Sequence, residues 1–549
     1  MKSEPFRTPS PTEVRTVTAI SAAVAASDLS RAYELANWAI GQGMSNRITH
    51  NARGLALQSA GQHWKAIEEF RRALAYSPGD PLILNAIGLS EMALLRFDKA
   101  VEAFDDALTS DPNSALTHYR RGLALARSGD HEAAKLSYER AIDLAPDHAE
   151  SLAGLASIYA RKRNEKVARD YASRALAAES ENATAQLALV ILDMNAGRYA
   201  DAERQLRTLL PALSFDSDLR AGMRAMLGDA LDGQGRHSEA FEVYAQNNDE
   251  IRAKYGAQFR TDRGAEAIRH ITDYFRDHSA KEWTTACVPP PDRNGPREHI
   301  FLLGFMRSGT TLLEQVLASN SDVVALEEKA LLRDAERQYM SSNEELDALA
   351  RIQGDELEAA RQSYWAKAHE YGGGDLAGKI FVDKQPLNTP LLPVIAKLFP
   401  QAKVLFALRD PRDVVFSCFR RNFRIHAAAF EFLTLEDTAN FYAGVMELAE
   451  IYRNKLPLRI FDHRYEDMVR DFEGRVRAVC DFIGLEWSES MRDFDRNAPK
   501  VDLRSPSARQ VQRPLYGEGI GQWRNYAEQM KSTLPILAPW VRRFGYSEE

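Results

Sequence analysis

Gly304 and Gly309 bracket a four-residue loop in "FLLGFMRSGTTLLEQVL", with an apolar run before it and a helix beginning around Thr310. Glycine permits the tight turn, and the amides from Arg307 through Ser308, Gly309, Thr310 and Thr311 then face one spot beside a helix N-terminus. The hydroxyls of Thr310 and Thr311 add donors. Such a nest is suited to an anion, phosphate being the natural one; a purely structural turn is the alternative reading of the loop by itself. A nucleoside-triphosphate hydrolase places lysine directly after the last glycine to reach the β and γ phosphates; here Thr310 stands there, and the cation inside the loop is Arg307. The loop is suited to hold a phosphate but lacks the usual lysine for γ-phosphate chemistry. Further along, "KVLFALRDPRDVVFSCF" sets Arg409 after an apolar run and Ser417 eight residues later, about two helical turns on. An arginine and a hydroxyl so spaced suit the clamping of a second phosphate from the far side.

These residues need a scaffold. From His299 the runs "IFLLGF", "KIFVD", "KVLFALRD" and "LRIFDHRY" alternate with longer helical patterns. Strands alternating with helices predict a parallel sheet covered on both faces, a three-layer α/β domain of phosphate-loop type over residues 297–549. Before it, "CVPPPDRNGPREH" and one amphipathic segment read as a linker over 256–296.

Residues 13–255 follow another rule. Gly54, Ala66, Phe70, Ala73 and Pro78 return 34 residues later as Gly88, Ala100, Phe104, Ala107 and Pro112, and again as Gly122, Ala134, Tyr138, Ala141 and Pro146. Small residues let paired helices approach, the aromatic fills the gap and proline stops the second helix. The period and pattern resemble tetratricopeptide repeats, which implies an α-solenoid. A solenoid presents a concave face to a protein or peptide partner; homodimer formation and a spacer role are the alternatives.

Composition narrows the class. The chain has 549 residues, too many for one core, with 45% hydrophobic and 27% charged residues, as in ordinary globular proteins. A net charge of −8 argues against a nucleic-acid partner. Cys287, Cys418 and Cys480 form no CxxC pair, so neither a disulfide framework nor a thiolate zinc site is expected. No apolar run approaches the roughly 20 residues of a transmembrane helix, and "AISAAVAAS" reads as repeat helix, so the expectation is a cytoplasmic protein.

The loop "RSGTT" followed by "LRDPRDVVFS" resembles the sulfotransferases that use 3′-phosphoadenosine 5′-phosphosulfate, nearest the tyrosylprotein branch and bacterial members fused to tetratricopeptide repeats. The resemblance spans residues 297 to about 530. It implies that Arg307, Ser308, Gly309, Thr310 and Thr311 hold the 5′-phosphosulfate, and Arg409 and Ser417 the 3′-phosphate. A donor without a γ-phosphate has no use for the missing lysine. The resemblance further implies Glu328 as base with Glu327 beside it, Lys384 and Arg307 stabilising the transition state, Tyr465 near the donor, and Ser507 in a C-terminal loop over it. No metal is implied. Read without the resemblance, Glu327 and Glu328 are an acidic helix start, Lys384 a surface residue closing a strand, and Tyr465 a core aromatic. Relatives carry a basic residue before the tryptophan where this chain has Gln522 before Trp523; Arg524 and Arg513 are the alternative cations. The acceptor hydroxyl is expected on a protein or peptide tyrosine, with a glycan, lipid or small metabolite as alternatives. A repeat scaffold with a degenerate catalytic domain also stands open.

Overall fold

The computed structural model describes residues 10–213, 218–261, 263–284, 295–372, 374–497 and 519–548. Cys287, Ser507 and Arg513 lie outside them. The chain forms two compact units, Met1–Gln205 and Leu206–Glu549.

The first unit is an array of antiparallel helix pairs, such as Arg47–Ser59 with His63–Tyr76 and Pro81–Ala93 with Phe97–Ser110. The repeated glycines, alanines and aromatics are its core, while Pro78, Pro112 and Pro146 are exposed just past the helix ends. A Cβ built on Gly54 would meet the Phe70 ring at 2.5 Å, and one on Gly88 would meet Phe104 at 2.4 Å. The glycine is therefore the socket for the aromatic of the next helix, and burying that ring contributes about 1.5–3 kcal/mol per repeat. "AISAAVAAS" falls largely within the helix Pro11–Ala25.

The second unit opens with one further pair, Asp218–Asp232 and His237–Tyr255, and continues into the α/β domain. Five parallel strands, β1 (Glu298–Gly304), β2 (Val323–Glu327), β3 (Ile380–Lys384), β4 (Lys403–Leu408) and β5 (Arg459–Arg464), lie in the order β2-β3-β1-β4-β5. One face of β1 and β3 (Ile300, Leu302, Ile380, Val382) packs on Leu313, Val316 and Leu317 of the helix Thr310–Ala318. The order reverses between β1 and β4, and ligands of open parallel sheets sit at that crevice beyond the strands' carboxyl ends.

β2 corrects one alternative. "VVALE" is an edge strand in register with β3, Val323 opposite Ile380 and Glu327 opposite Lys384, so Glu327 and Glu328 do not begin a helix. At five residues and half-exposed, it lacked the unbroken apolar run of a central strand. Among the described residues no helix is long and apolar enough to cross a membrane.

Candidate active site

The loop after β1 is strained where the chemistry is expected. Arg307 (φ 69°) and Glu328 (φ 49°) are the only non-glycine residues with positive φ among the described residues of the second unit. Each such residue costs about 1–3 kcal/mol unless its surroundings hold it. Gly309 (φ 92°) caps the helix Thr310–Ala318, and a Cβ there would meet the Tyr465 ring at 2.9 Å. Glycine is thus required twice over, by the turn and by the tyrosine laid against it.

On the β4 side the structure gathers four of the expected residues. Arg307 Nε donates to Ser417 Oγ at 3.0 Å, and Arg409 Nη1 donates to the Arg307 carbonyl at 3.0 Å. The Arg409 guanidinium lies 5.3 Å from the Tyr465 ring centre and also donates to the Gly519 carbonyl. Tyr465 is therefore part of the loop's surroundings rather than of the hydrophobic core. Thr310 and Thr311 are buried in the first turn of the helix, and Ser308 is buried in the loop.

Sequence reasoning missed two arginines here. Arg420 and Arg421 end the helix Pro411–Phe419, and both are held from the opening helix pair: Arg420 on Asp232 at 3.2 Å, Arg421 on Asp229 at 2.7 Å. Arg420 also donates to Gln522 Oε1 at 2.8 Å, so the glutamine of the departing motif serves an arginine. Asp413 receives the amides of Gly521 and Trp523 at 2.6 and 2.9 Å, fastening that segment beside the loop. Trp523 is buried beneath Arg412, whose guanidinium stands 4.1 Å from the ring, while Arg524 is exposed.

Burial, then the nearby Arg421, Arg409 and Arg420, pushes the Arg307 guanidinium down to about 9. Among the described residues the buried Nε–H groups of Arg409, Arg420 and Arg421 find no hydrogen-bond partner. Buried donors are normally satisfied, and a cluster of cations this close favours an anion among them. These residues fit a phosphate-bearing ligand.

The β3 side carries a different chemistry. Lys384 ends β3 fully buried, which excludes the surface reading, and its Nζ lies 2.9 Å from Glu328 Oε1 and 3.3 Å from both Glu327 Oε1 and Glu314 Oε2. Burial disfavours its charge, but Glu314, Glu328 and Glu327 more than offset this and hold its pKa above the ordinary value. The backbone of Glu328 is tied as well, its amide donating to the Lys384 carbonyl at 2.8 Å. Glu328 keeps its side chain partly exposed, at 30%, as a group that meets a second molecule must. Asp383 points the other way, accepting from Tyr364 at 2.9 Å, with His299 on the same tyrosine at 2.8 Å.

The family model described as Sulfotransferase family matches residues 299–489, which run from β1 through both clusters. Those residues belong to the sulfotransferase family. A second model, Tetratricopeptide repeat, matches 51–115, 85–136, 119–183 and 187–247, so a sulfotransferase domain follows a repeat array. The chain is similar to protein-tyrosine sulfotransferase A of Caenorhabditis elegans, 25% identical over 260 residues, covering 45% of this chain and 67% of that one. It is similar to protein-tyrosine sulfotransferase 2 of Gallus gallus, at 26% over 262 residues, 45% of this chain and 69% of that one. An uncharacterized protein of Aquifex aeolicus (strain VF5) is 25% identical over 350 residues, 60% of this chain but 43% of its own length.

Proposed function

We propose that the sulfotransferase domain moves a sulfuryl group from 3′-phosphoadenosine 5′-phosphosulfate to an acceptor hydroxyl, with a protein or peptide tyrosine as acceptor. One observation carries this: a guanidinium cluster and a lysine–carboxylate cluster flank one phosphate loop at the carboxyl edge of the sheet. The first suits the two phosphate ends of the donor, with Arg307 and the loop amides on the 5′ side and Arg409 and Ser417 on the 3′ side. The second suits the transfer itself. Glu328 takes the proton of the acceptor hydroxyl as its oxygen bonds to sulfur. The bond from sulfur to the 5′-phosphate oxygen breaks, Lys384 and Arg307 meet the charge that develops, and adenosine 3′,5′-bisphosphate leaves. The similarity to the nematode and avian protein-tyrosine sulfotransferases supports tyrosine. The repeats present the acceptor protein, and the buried free thiols of Cys418 and Cys480 accord with the reducing cytoplasm.

Glu328→Gln tests the reading. Calorimetry should find adenosine 3′,5′-bisphosphate bound as in the wild type and ATP bound weakly by both. Turnover should fall by about 10²–10⁴-fold, the contribution of a general base. Undiminished turnover in Glu328→Gln removes the assignment of the base. A wild type that ignores the bisphosphate removes the donor.

A further inference from the structure

Glu314 is a carboxyl where packing alone asks for an apolar residue. It lies on the helix that leaves the phosphate loop, beside Leu313, Val316 and Leu317, which belong to the core against β1 and β3. It is 2% exposed, and its Oε2 stands 3.3 Å from Lys384 Nζ, within hydrogen-bond reach. The groups that act on it electrostatically are Lys384 from β3, Glu327 at the end of β2 and Glu328 just after it.

Three carboxyls thus meet one ammonium. An ammonium has three hydrogens, and Glu327 and Glu328 occupy it from the β2 side while Glu314 stands on the helix side. A base locked on Lys384 is a poor base, and Glu327 and Glu328 already set two carboxylates against the one ammonium. Turnover therefore needs the third carboxyl to sit beside Lys384 without adding a further negative charge where negative charge must develop, which a neutral acid does and a carboxylate does not.

We propose that Glu314 is a positioning residue of the transfer centre, which anchors Lys384 from the helix side in its protonated form and disables it when ionised. The inference rests on the sulfotransferase reading above. Its direction is supported by the state of the group: burial, then Glu327 and Glu328, acting against the pull of Lys384, pushes its carboxyl up to about 8. Below that pH the proton is present and the cluster carries one negative charge less beside the developing negative oxygen. Above it the ionised Glu314 adds a third negative charge 3.3 Å from Lys384, and catalysis declines.

The test is the pH profile of kcat for the full chain, with adenosine 3′,5′-bisphosphate release as the readout and a fixed hydroxyl acceptor. Wild-type kcat should fall above about pH 8, approaching tenfold per pH unit as the protonated fraction falls. Glu314→Gln keeps a neutral partner for Lys384 and should lose the fall that begins near pH 8, leaving only the one set further up by Arg307, held down to about 9. Glu314→Leu keeps the volume but not the anchor; its kcat should drop at least about tenfold at pH 7 with bisphosphate affinity unchanged. Infrared titration should show a carboxylic-acid band at neutral pH that Glu314→Gln removes. Superimposed wild-type and Glu314→Gln profiles overturn this inference alone. A wild type that releases no bisphosphate overturns the sulfotransferase reading and this inference with it.

Discussion

Arg409 spends two nitrogens on the carbonyls of Arg307 and Gly519 and still buries an Nε–H that no described residue partners. Arg409→Ala removes a buried charge-assisted donor set, worth about 1.5–3 kcal/mol, so the Kd for adenosine 3′,5′-bisphosphate should rise about 10- to 150-fold. Calorimetry decides it, and an unchanged Kd would take Arg409 out of the site. Glu314 makes a second prediction, on stability. Its carboxyl is raised in the folded state from an ordinary 4.5 to about 8, so over that range the folded chain keeps a proton that the unfolded chain has released. Stability should therefore decline as pH rises from about 4.5 to about 8, and Glu314→Gln should flatten that decline in urea denaturation. An equal slope in wild type and variant would mean that Glu314 is ionised in the folded protein at neutral pH.

At the scale of elements, the repeat glycines and the helix pair Asp218–Asp232/His237–Tyr255 carry the clearest tests. Gly88→Ala drives a methyl into the Phe104 ring, 2.4 Å away, and should destabilise the array by about 1–3 kcal/mol. Hydrogen exchange of the amides in Pro81–Ser110 would read it, and unchanged protection would show that the ring can yield. Asp232 receives Arg420 and the hydroxyl of Tyr526, while Arg420 in turn holds Gln522. Asp232→Asn should weaken bisphosphate binding several-fold with the far-ultraviolet spectrum unchanged, a hydrogen bond to a charged group being worth about 1.5–3 kcal/mol. Unaltered binding would make the contact purely structural. The short β2 shows why an element escapes a sequence reading: an edge strand is half solvated, so its five residues carry no unbroken apolar run.

At the scale of the molecule, the second compact unit includes a helix pair that the repeat pattern assigns to the solenoid. Asn248 donates to the Phe419 carbonyl at 2.9 Å, and the Phe241 and Phe419 rings stack at 5.2 Å, beside the two aspartate–arginine contacts. A fragment of residues 206–549 should bind adenosine 3′,5′-bisphosphate, and one of 256–549 should not, because it loses the carboxylates that hold Arg420 and Arg421. Equal binding by the two would detach the pair from the site.

The features legible along the chain are local ones. The glycine-bounded loop, the eight-residue step from Arg409 to Ser417 and the 34-residue period follow from backbone turns, helical pitch and a ring that needs a socket. Each is written in neighbours along the chain. Tertiary structure alone decided that Glu314 lies beside Lys384, that Asp229 and Asp232 hold Arg421 and Arg420, and that Asp383 turns away to Tyr364. Those pairings join residues far apart in sequence, and their energies depend on separation and burial, which exist only once the sheet order has brought the strand ends together.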